Sequence, residues 1–142
     1  MLSKKVVVKL DNGKILKGWT SNFSPTKESF YLHIEEKSSE KSILEIKLSS
    51  IRAVFFVKKH GGNKNYKKVR TFKGQSDITP SQRKIIVTCK DGEKLYGTTL
   101  GYNPNKKGFF IFPIDSKDNN ERIFVIQESV ENVELKDFNG NN

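Results

Sequence analysis

The sequence predicts an all-β protein built from two small five-stranded β-barrels in tandem. Three observations carry that expectation. A unit of about 55 residues, small enough to be marginal alone, occurs twice at a constant shift of 79 positions. Within each copy, apolar and polar residues alternate with period two, the pattern of half-buried strands. No segment sustains the 3.6-residue apolar period of an amphipathic helix beyond a turn or two.

The duplication is read directly from the chain. Val6-Val7-Val8-Lys9-Leu10-Asp11-Asn12-Gly13 returns as Ile85-Ile86-Val87-Thr88-Cys89-Lys90-Asp91-Gly92. The shift then holds without a gap through Leu16 and Leu95, Gly18 and Gly97, Pro25 and Pro104, Phe30 and Phe109. It continues through Leu44 and Ile123, Ile46 and Val125, Ile51 and Val130, and Val54 and Val133.

Each unit divides into five strands. The first spans Lys5–Leu10, with Val6, Val8 and Leu10 on one face. Asp11-Asn12-Gly13 and Lys90-Asp91-Gly92 then signal tight turns. The second strand, about 14–22, places Leu16, Gly18 and Thr20 together, and a glycine inside a strand marks a bulge or sharp bend. A small barrel needs such a bend to close. Ser24-Pro25 and Asn103-Pro104 break the chain next. The third strand is Ser29–Ile34, matched by Gly108–Ile114; the fourth is Ile43–Leu48, matched by Arg122–Ile126. Ser49-Ser50 makes a brief turn, and the fifth strand, Arg52–Val57 or Val130–Leu135, is rich in β-branched and aromatic residues. The architectural alternative is one larger barrel or sandwich fused from both copies.

These boundaries give a first repeat over 1–57, a linker over 58–83 and a second repeat over 84–142 with a frayed tail. Charge follows the same division. Residues 1–57 carry 10 basic and 6 acidic side chains, 58–84 carry 9 and 1, and 85–142 carry 7 and 9. The net excess of +10 is therefore concentrated between the repeats. A basic stretch suits a polyanion, an anionic surface or an acidic protein, and equally a solvated linker. The single cysteine, Cys89, stands in the register of Leu10 and reads as a core residue. A lone cysteine forms no internal disulfide, which suits a reducing cytoplasm. No apolar run reaches membrane-spanning length, and Met1-Leu2-Ser3-Lys4-Lys5 lacks a signal-peptide pattern.

Catalysis finds little support in the residues. His33 and His60 stand apart, with no metal-ligand spacing around them, so neither metal nor cofactor is expected. No nucleophile-elbow, P-loop or dinucleotide-binding pattern occurs. Carboxylates such as Glu35 and Glu36, or Asp118 and Glu121, fall in expected loops. A binding module is the better expectation. Its first candidate surface is the linker, where Lys58, Lys59, Lys64, Lys67, Lys68, Arg70 and Lys73 interleave with Tyr66 and Phe72. Cations hold phosphates and rings stack bases, so this segment points to RNA or single-stranded DNA. Its short piece Tyr66–Lys73 is a candidate extra strand. The second candidate surface is a polar edge of Asp115, Asn119, Glu121 and Arg122 around an Asn119-Asn120 turn, flanked by Phe55 and Phe110. Adjacent strand residues such as Phe55 and Phe56 cannot face one core. They suit inter-repeat packing or a protein partner.

Five strands, a bent second strand and a brief turn before the last resemble the SH3-like and Sm-like small barrels. The V-x-V-x-L-x-x-G start, the Gly18 or Gly97 bend and the final I-x-x-V strand carry the Sm-like resemblance. Sm-like proteins bind RNA partly through an Arg-Gly or Lys-Gly step before the last strand. Here Leu48-Ser49-Ser50-Ile51-Arg52 and Gln127-Glu128-Ser129-Val130 have no such step. Nearly the whole chain also resembles a family of uncharacterised bacterial proteins of duplicated small barrels, some of which carry the label PilZ-like. The residues are Ser24-Pro25, Ile51–Val57, Gly108–Asp115 and Asn119–Arg122. That resemblance implies a bacterial cytoplasmic protein. The R-x-x-x-R and D/N-x-S-x-x-G segments that bind cyclic di-GMP in PilZ domains are absent. The resulting expectation is a non-enzymatic interaction or regulatory module for a protein partner, with nucleic-acid binding as the alternative.

Overall fold

The computed structural model describes residues 3–35, 41–62 and 82–136. Among them the chain is all-β. Strands β1 (Lys4–Leu10), β2 (Ile15–Thr20), β3 (Ser29–Glu35), β4 (Lys41–Lys47) and β5 (Ile51–Val57) form the first repeat. Strands β6 (Arg83–Cys89), β7 (Lys94–Thr99), β8 (Gly108–Pro113), β9 (Asn120–Ile126) and β10 (Val130–Lys136) form the second. Single turns of 3₁₀ helix, Leu48–Ser50 and Gln127–Ser129, precede the last strand of each.

The tight turns form as expected. Gly13 and Gly92 adopt positive φ, and in each the glycine N–H donates to the carbonyl three residues back, at 3.0 and 2.9 Å. The in-strand glycines have a different reason. A Cβ on Gly18 would lie 2.3 Å from the His33 carbonyl oxygen, and one on Gly97 would lie 2.3 Å from that of Phe112. Only a glycine allows β2 to meet β3, and β7 to meet β8, at such close range. Those junctions are correspondingly brief. β2 and β3 pair only at Trp19 and His33, while β7 and β8 pair at Gly97 with Pro113 and Thr98 with Phe112.

The hydrogen bonding does not close the two five-stranded barrels expected in tandem. All ten strands join one open antiparallel sheet in the order β10-β6-β7-β8-β9-β5-β1-β2-β3-β4. The repeats meet where β5 pairs with β9, with Ala53 opposite Val125, Val54 opposite Phe124, Phe55 opposite Ile123 and Phe56 opposite Arg122. The physical reason lies in these two strands, which are apolar on both faces. Val54, Phe56, Phe124 and Ile126 enter a core with Val6, Val8, Phe30, Leu32 and Leu48 of the first repeat. Ala53, Ile123 and Val125 enter a second core with Ile85, Val87, Cys89, Leu95 and Ile111. Phe55 packs against that second core. Each core thus borrows side chains from the other repeat. β4 also begins earlier than the apolar pattern suggests, at Lys41, because β3 holds it in register as far as the Glu35–Lys41 pair.

Ions clasp one end of the junction. Asp91 Oδ1 accepts the Glu93 N–H at 3.0 Å and so shapes its own turn. Its Oδ2 accepts from Lys9 Nζ and, at 3.3 Å, from the Arg52 guanidinium, both in the first repeat. Lys9 also reaches Glu93 at 3.3 Å. The hydrogen bond from Lys9 holds the Asp91 carboxyl below the usual carboxylate range, and the Lys9 ammonium is raised above its own. The cluster lies at the surface, where solvent screens it and each pair contributes about 1 kcal/mol or less.

Two predictions follow from this junction. Phe124→Ala, which empties a fully buried site between the repeats, lowers stability by about 3–5 kcal/mol. Denaturation followed by Trp19, the only tryptophan, must coincide with that followed by circular dichroism of the whole chain. Separate midpoints would show two independent units. Asp91→Asn keeps the turn acceptor and removes the ion pairs, at a cost of about 1 kcal/mol at neutral pH. Because the Asp91 pKa is depressed on folding, its stabilisation is present above the unfolded value and lost as pH falls through the folded one. The gap between wild type and Asp91→Asn must therefore close in acid. The raised Lys9 pKa keeps its share until strongly alkaline pH.

Candidate interaction surface

The loops that follow the bent strands build an open apolar surface. After β7, Thr99 Oγ1 donates to the Gly101 carbonyl at 3.2 Å and tightens the chain. The Tyr102 hydroxyl donates to Gln127 Oε1 at 3.1 Å, and its ring meets Phe109 edge-on at 4.8 Å. The next turn is held by Asn103, whose Oδ1 and carbonyl oxygen accept the N–H groups of Asn105 and Lys106 at 2.9 and 3.1 Å. With both ends tied, Leu100 is left 64% exposed. It borders a groove of about 700 Å³ whose lining includes Tyr102, Phe110, Phe112 and Phe124, with Pro25 and Thr26 from the first repeat.

A second groove of about 690 Å³ adjoins it and is the more polar of the two. Glu28, Ser29, Glu45 and Lys47 of the first repeat line it together with Gln127 and Glu128 of the second. Lys106 and Lys107 line both grooves and therefore form the ridge between them. The ridge is fixed by its backbone, since Gln127 N–H donates to the Lys107 carbonyl at 2.8 Å. The first repeat repeats this bond between Leu48 and Glu28, at 2.9 Å.

The structure distributes the polar edge expected at 115–122 among several local roles. Asn119 ties the β8–β9 connection to the end of β5. Its carbonyl accepts the Lys58 N–H at 2.9 Å, its Oδ1 accepts the Lys59 N–H at 3.0 Å, and its Nδ2 donates to the Lys59 carbonyl at 2.9 Å. Lys58 Nζ donates to the Ser116 carbonyl. Asp115 Oδ1 accepts the Lys117 N–H at 3.0 Å within its own turn. Glu121 is exposed. The Arg122 guanidinium lies over the rings of Phe56 and Phe110, 4.4 and 4.8 Å from their centres. Phe110 and Phe55 are half-buried and pack on opposite cores. Of the basic linker, Lys58 and Lys59 are exposed. Lys64, Tyr66, Lys67, Lys68, Arg70, Phe72 and Lys73 lie outside the described residues.

The chemistry of the remaining reactive groups is local. Burial pushes the Cys89 thiol up to about 11, so it is protonated at neutral pH and packs as an apolar residue. His60 Nε2 sits 2.8 Å from the Gly18 carbonyl, and its ring meets Trp19 edge-on at 4.7 Å. Among the described residues, no three His, Cys, Asp or Glu side chains gather as metal ligands. No helix among them is long and apolar enough to cross a membrane.

Leu100, Tyr102, Lys106 and Lys107 were not singled out by composition or motif. The signal that finds them is the comparison between repeats. Leu100 stands where the first copy has Ser21, and Phe112 stands where it has His33. Apolar residues have been placed on a loop and a strand face that are polar in the sister unit. Leu100→Ser, which restores the residue of the sister loop, should therefore leave the denaturation midpoint within about 0.5 kcal/mol of wild type, as expected of an exposed side chain away from the core. A larger loss would make Leu100 a packing residue.

No curated protein and no solved structure gives a match to this chain. One family model does, over residues 2–136, and the chain accordingly belongs to DUF6982, a family of unknown function.

Proposed function

We propose that this protein is a non-catalytic interaction module that binds a short acidic, apolar-anchored segment of a protein partner in the Leu100 groove. One observation carries the reading. An exposed leucine on a tied-down loop borders an aromatic floor and stands beside the Lys106–Lys107 ridge. A leucine or aromatic anchor of the partner would fill the groove, and neighbouring carboxylates would meet the two lysines. The chain's net charge of +10 favours encounter with acidic partners. The strand order β5-β1-β2-β3-β4, repeated as β10-β6-β7-β8-β9, fits an open Sm-like or SH3-like barrel used as a binding scaffold. A cytoplasmic setting agrees with one buried, reduced cysteine.

A second reading rests on a different segment. Nine basic and one acidic residue over 58–84, with Tyr66 and Phe72 among them, suit a single-stranded nucleic acid. It predicts an affinity that falls steeply with salt.

The two readings are separable in one set of measurements. Peptides selected by display against the purified chain should be enriched in acidic residues around a leucine or aromatic. Leu100→Ser should weaken their binding about tenfold or more, as loss of an anchor does. Lys106→Glu with Lys107→Glu should weaken it further and remove its salt dependence. Selection of no such peptides, or binding indifferent to these changes, overturns the groove. In parallel, fluorescent random single-stranded DNA tests the linker. Binding abolished by Lys67→Ala, Lys68→Ala and Arg70→Ala together, with Leu100→Ser neutral, would establish the second reading instead.

A further inference from the structure

The internal junction contains the pattern for an external one. β4 and β9 coincide residue for residue under the 79-residue shift, and so do β5 and β10. Inside the chain, the β5 edge of the first repeat pairs with the β9 edge of the second. Among the described residues, the strands at the two ends of the sheet are β10 and β4, the same two kinds of edge. Each is seven residues long and offers a row of backbone donors and acceptors. Such edges template further pairing unless they are blocked.

We propose that these edges join head to tail, β10 of one molecule pairing with β4 of a second copy of this chain. Carrying the internal register over by 79 positions sets Leu135 opposite Ile43 of the partner subunit, and continuing it one residue past its Ala53–Val125 end sets Glu131 opposite Lys47 of the partner subunit. The first is an apolar pair, and Ile43 is 61% exposed in the single chain. The second is an ion pair. It lies at the end of the junction where the internal ion cluster also sits. There, Arg52 is replaced by Glu131 and Glu93 by Lys14. The two hubs of that cluster change as well, Lys9 to Thr88 and Asp91 to Asn12, so the internal ion pairs are not repeated and the edges rely on Glu131 and Lys47 instead.

The character of the contact follows from four further replacements. Buried Ala53, Phe124 and Ile126 and half-buried Phe55 of the internal junction correspond to Asn132, Glu45, Lys47 and Glu134 at the terminal edges. A surface that must remain soluble when open is polar, and an interface made from it is reversible. Assembly is therefore concentration-dependent, and because the same register sets Lys136 opposite Lys41 of the partner subunit, salt screens a repulsion as well as the Glu131 attraction. The contact is heterologous, so it closes into a ring or propagates as a filament according to the rotation per molecule.

Sedimentation or light scattering on the full chain tests this. The mass should rise above 16.3 kDa with concentration and return to that value on dilution. Glu131→Lys or Lys47→Glu alone places like charges together and should weaken association about tenfold or more. Both side chains are exposed, and unchanged circular dichroism melts would confirm folding. Mixing the two variants must restore assembly, because each edge then meets its opposite charge. A wild-type mass of one chain under every condition overturns the proposal. So does assembly that both variants share with wild type, or that mixing fails to restore.

Discussion

The pairing of β5 with β9 is the constraint on which the rest of the structure depends. A strand at the boundary of a repeat has two faces, and each must be buried or wet. Here Val54 and Phe56 turn to one core while Ala53 and Phe55 turn to the other. On β9, Phe124 and Ile126 turn to the first core while Ile123 and Val125 turn to the second. These two strands are therefore walls common to both cores, and neither repeat is complete without the other. A unit of about 55 residues buries too little surface to be robust alone, and sharing a wall is a physical answer to that shortage. The Lys9, Arg52, Asp91 and Glu93 cluster adds orientation more than energy, since exposed ion pairs contribute little.

Duplication under this constraint leads to division of labour. Positions that point into a repeat's own core keep their character, as Val6 and Ile85 or Val8 and Val87 do. Positions on the far faces of the last two strands do not. Where the junction needs Phe124 and Ile126, the terminal β4 edge carries Glu45 and Lys47. Where it needs Ala53 and Phe55, the terminal β10 edge carries Asn132 and Glu134. Charged residues on an exposed edge keep it soluble and discourage indiscriminate pairing. The loops diverge in the opposite sense. Leu100 replaces a serine and Phe112 a histidine, so the second repeat gains an apolar surface as its edge loses one.

Legibility differs sharply between these levels. The strands, the Gly13 and Gly92 turns and the glycine bends were readable because each is a local demand. A period of two, a positive φ or a missing Cβ leaves its mark within a few residues. The double-sided apolar runs of β5 and β8 were readable too, in Phe55 with Phe56 and in Phe109 with Phe110. Their meaning was not, since a strand that joins two cores and one that binds a partner look alike in sequence. The candidate site was less legible still. Asn119 and Arg122 stood out by residue type, yet one braces the start of the linker and the other covers two rings. Lys106 and Lys107 looked ordinary, and only the fold makes them a ridge between two grooves.

The sequence by itself determined that the chain is all-β, that it is one unit written twice, and which residues of each unit are core. Those properties follow from periodicity and from agreement between two copies, and neither needs a third dimension. Tertiary structure alone decided how the copies meet. Strand pairing is a choice among edges, and backbone hydrogen bonds are the same whichever residues supply them. The selection of β9 as the partner of β5 depends on which pairing buries both faces at once, a property of the two cores together and of no single segment.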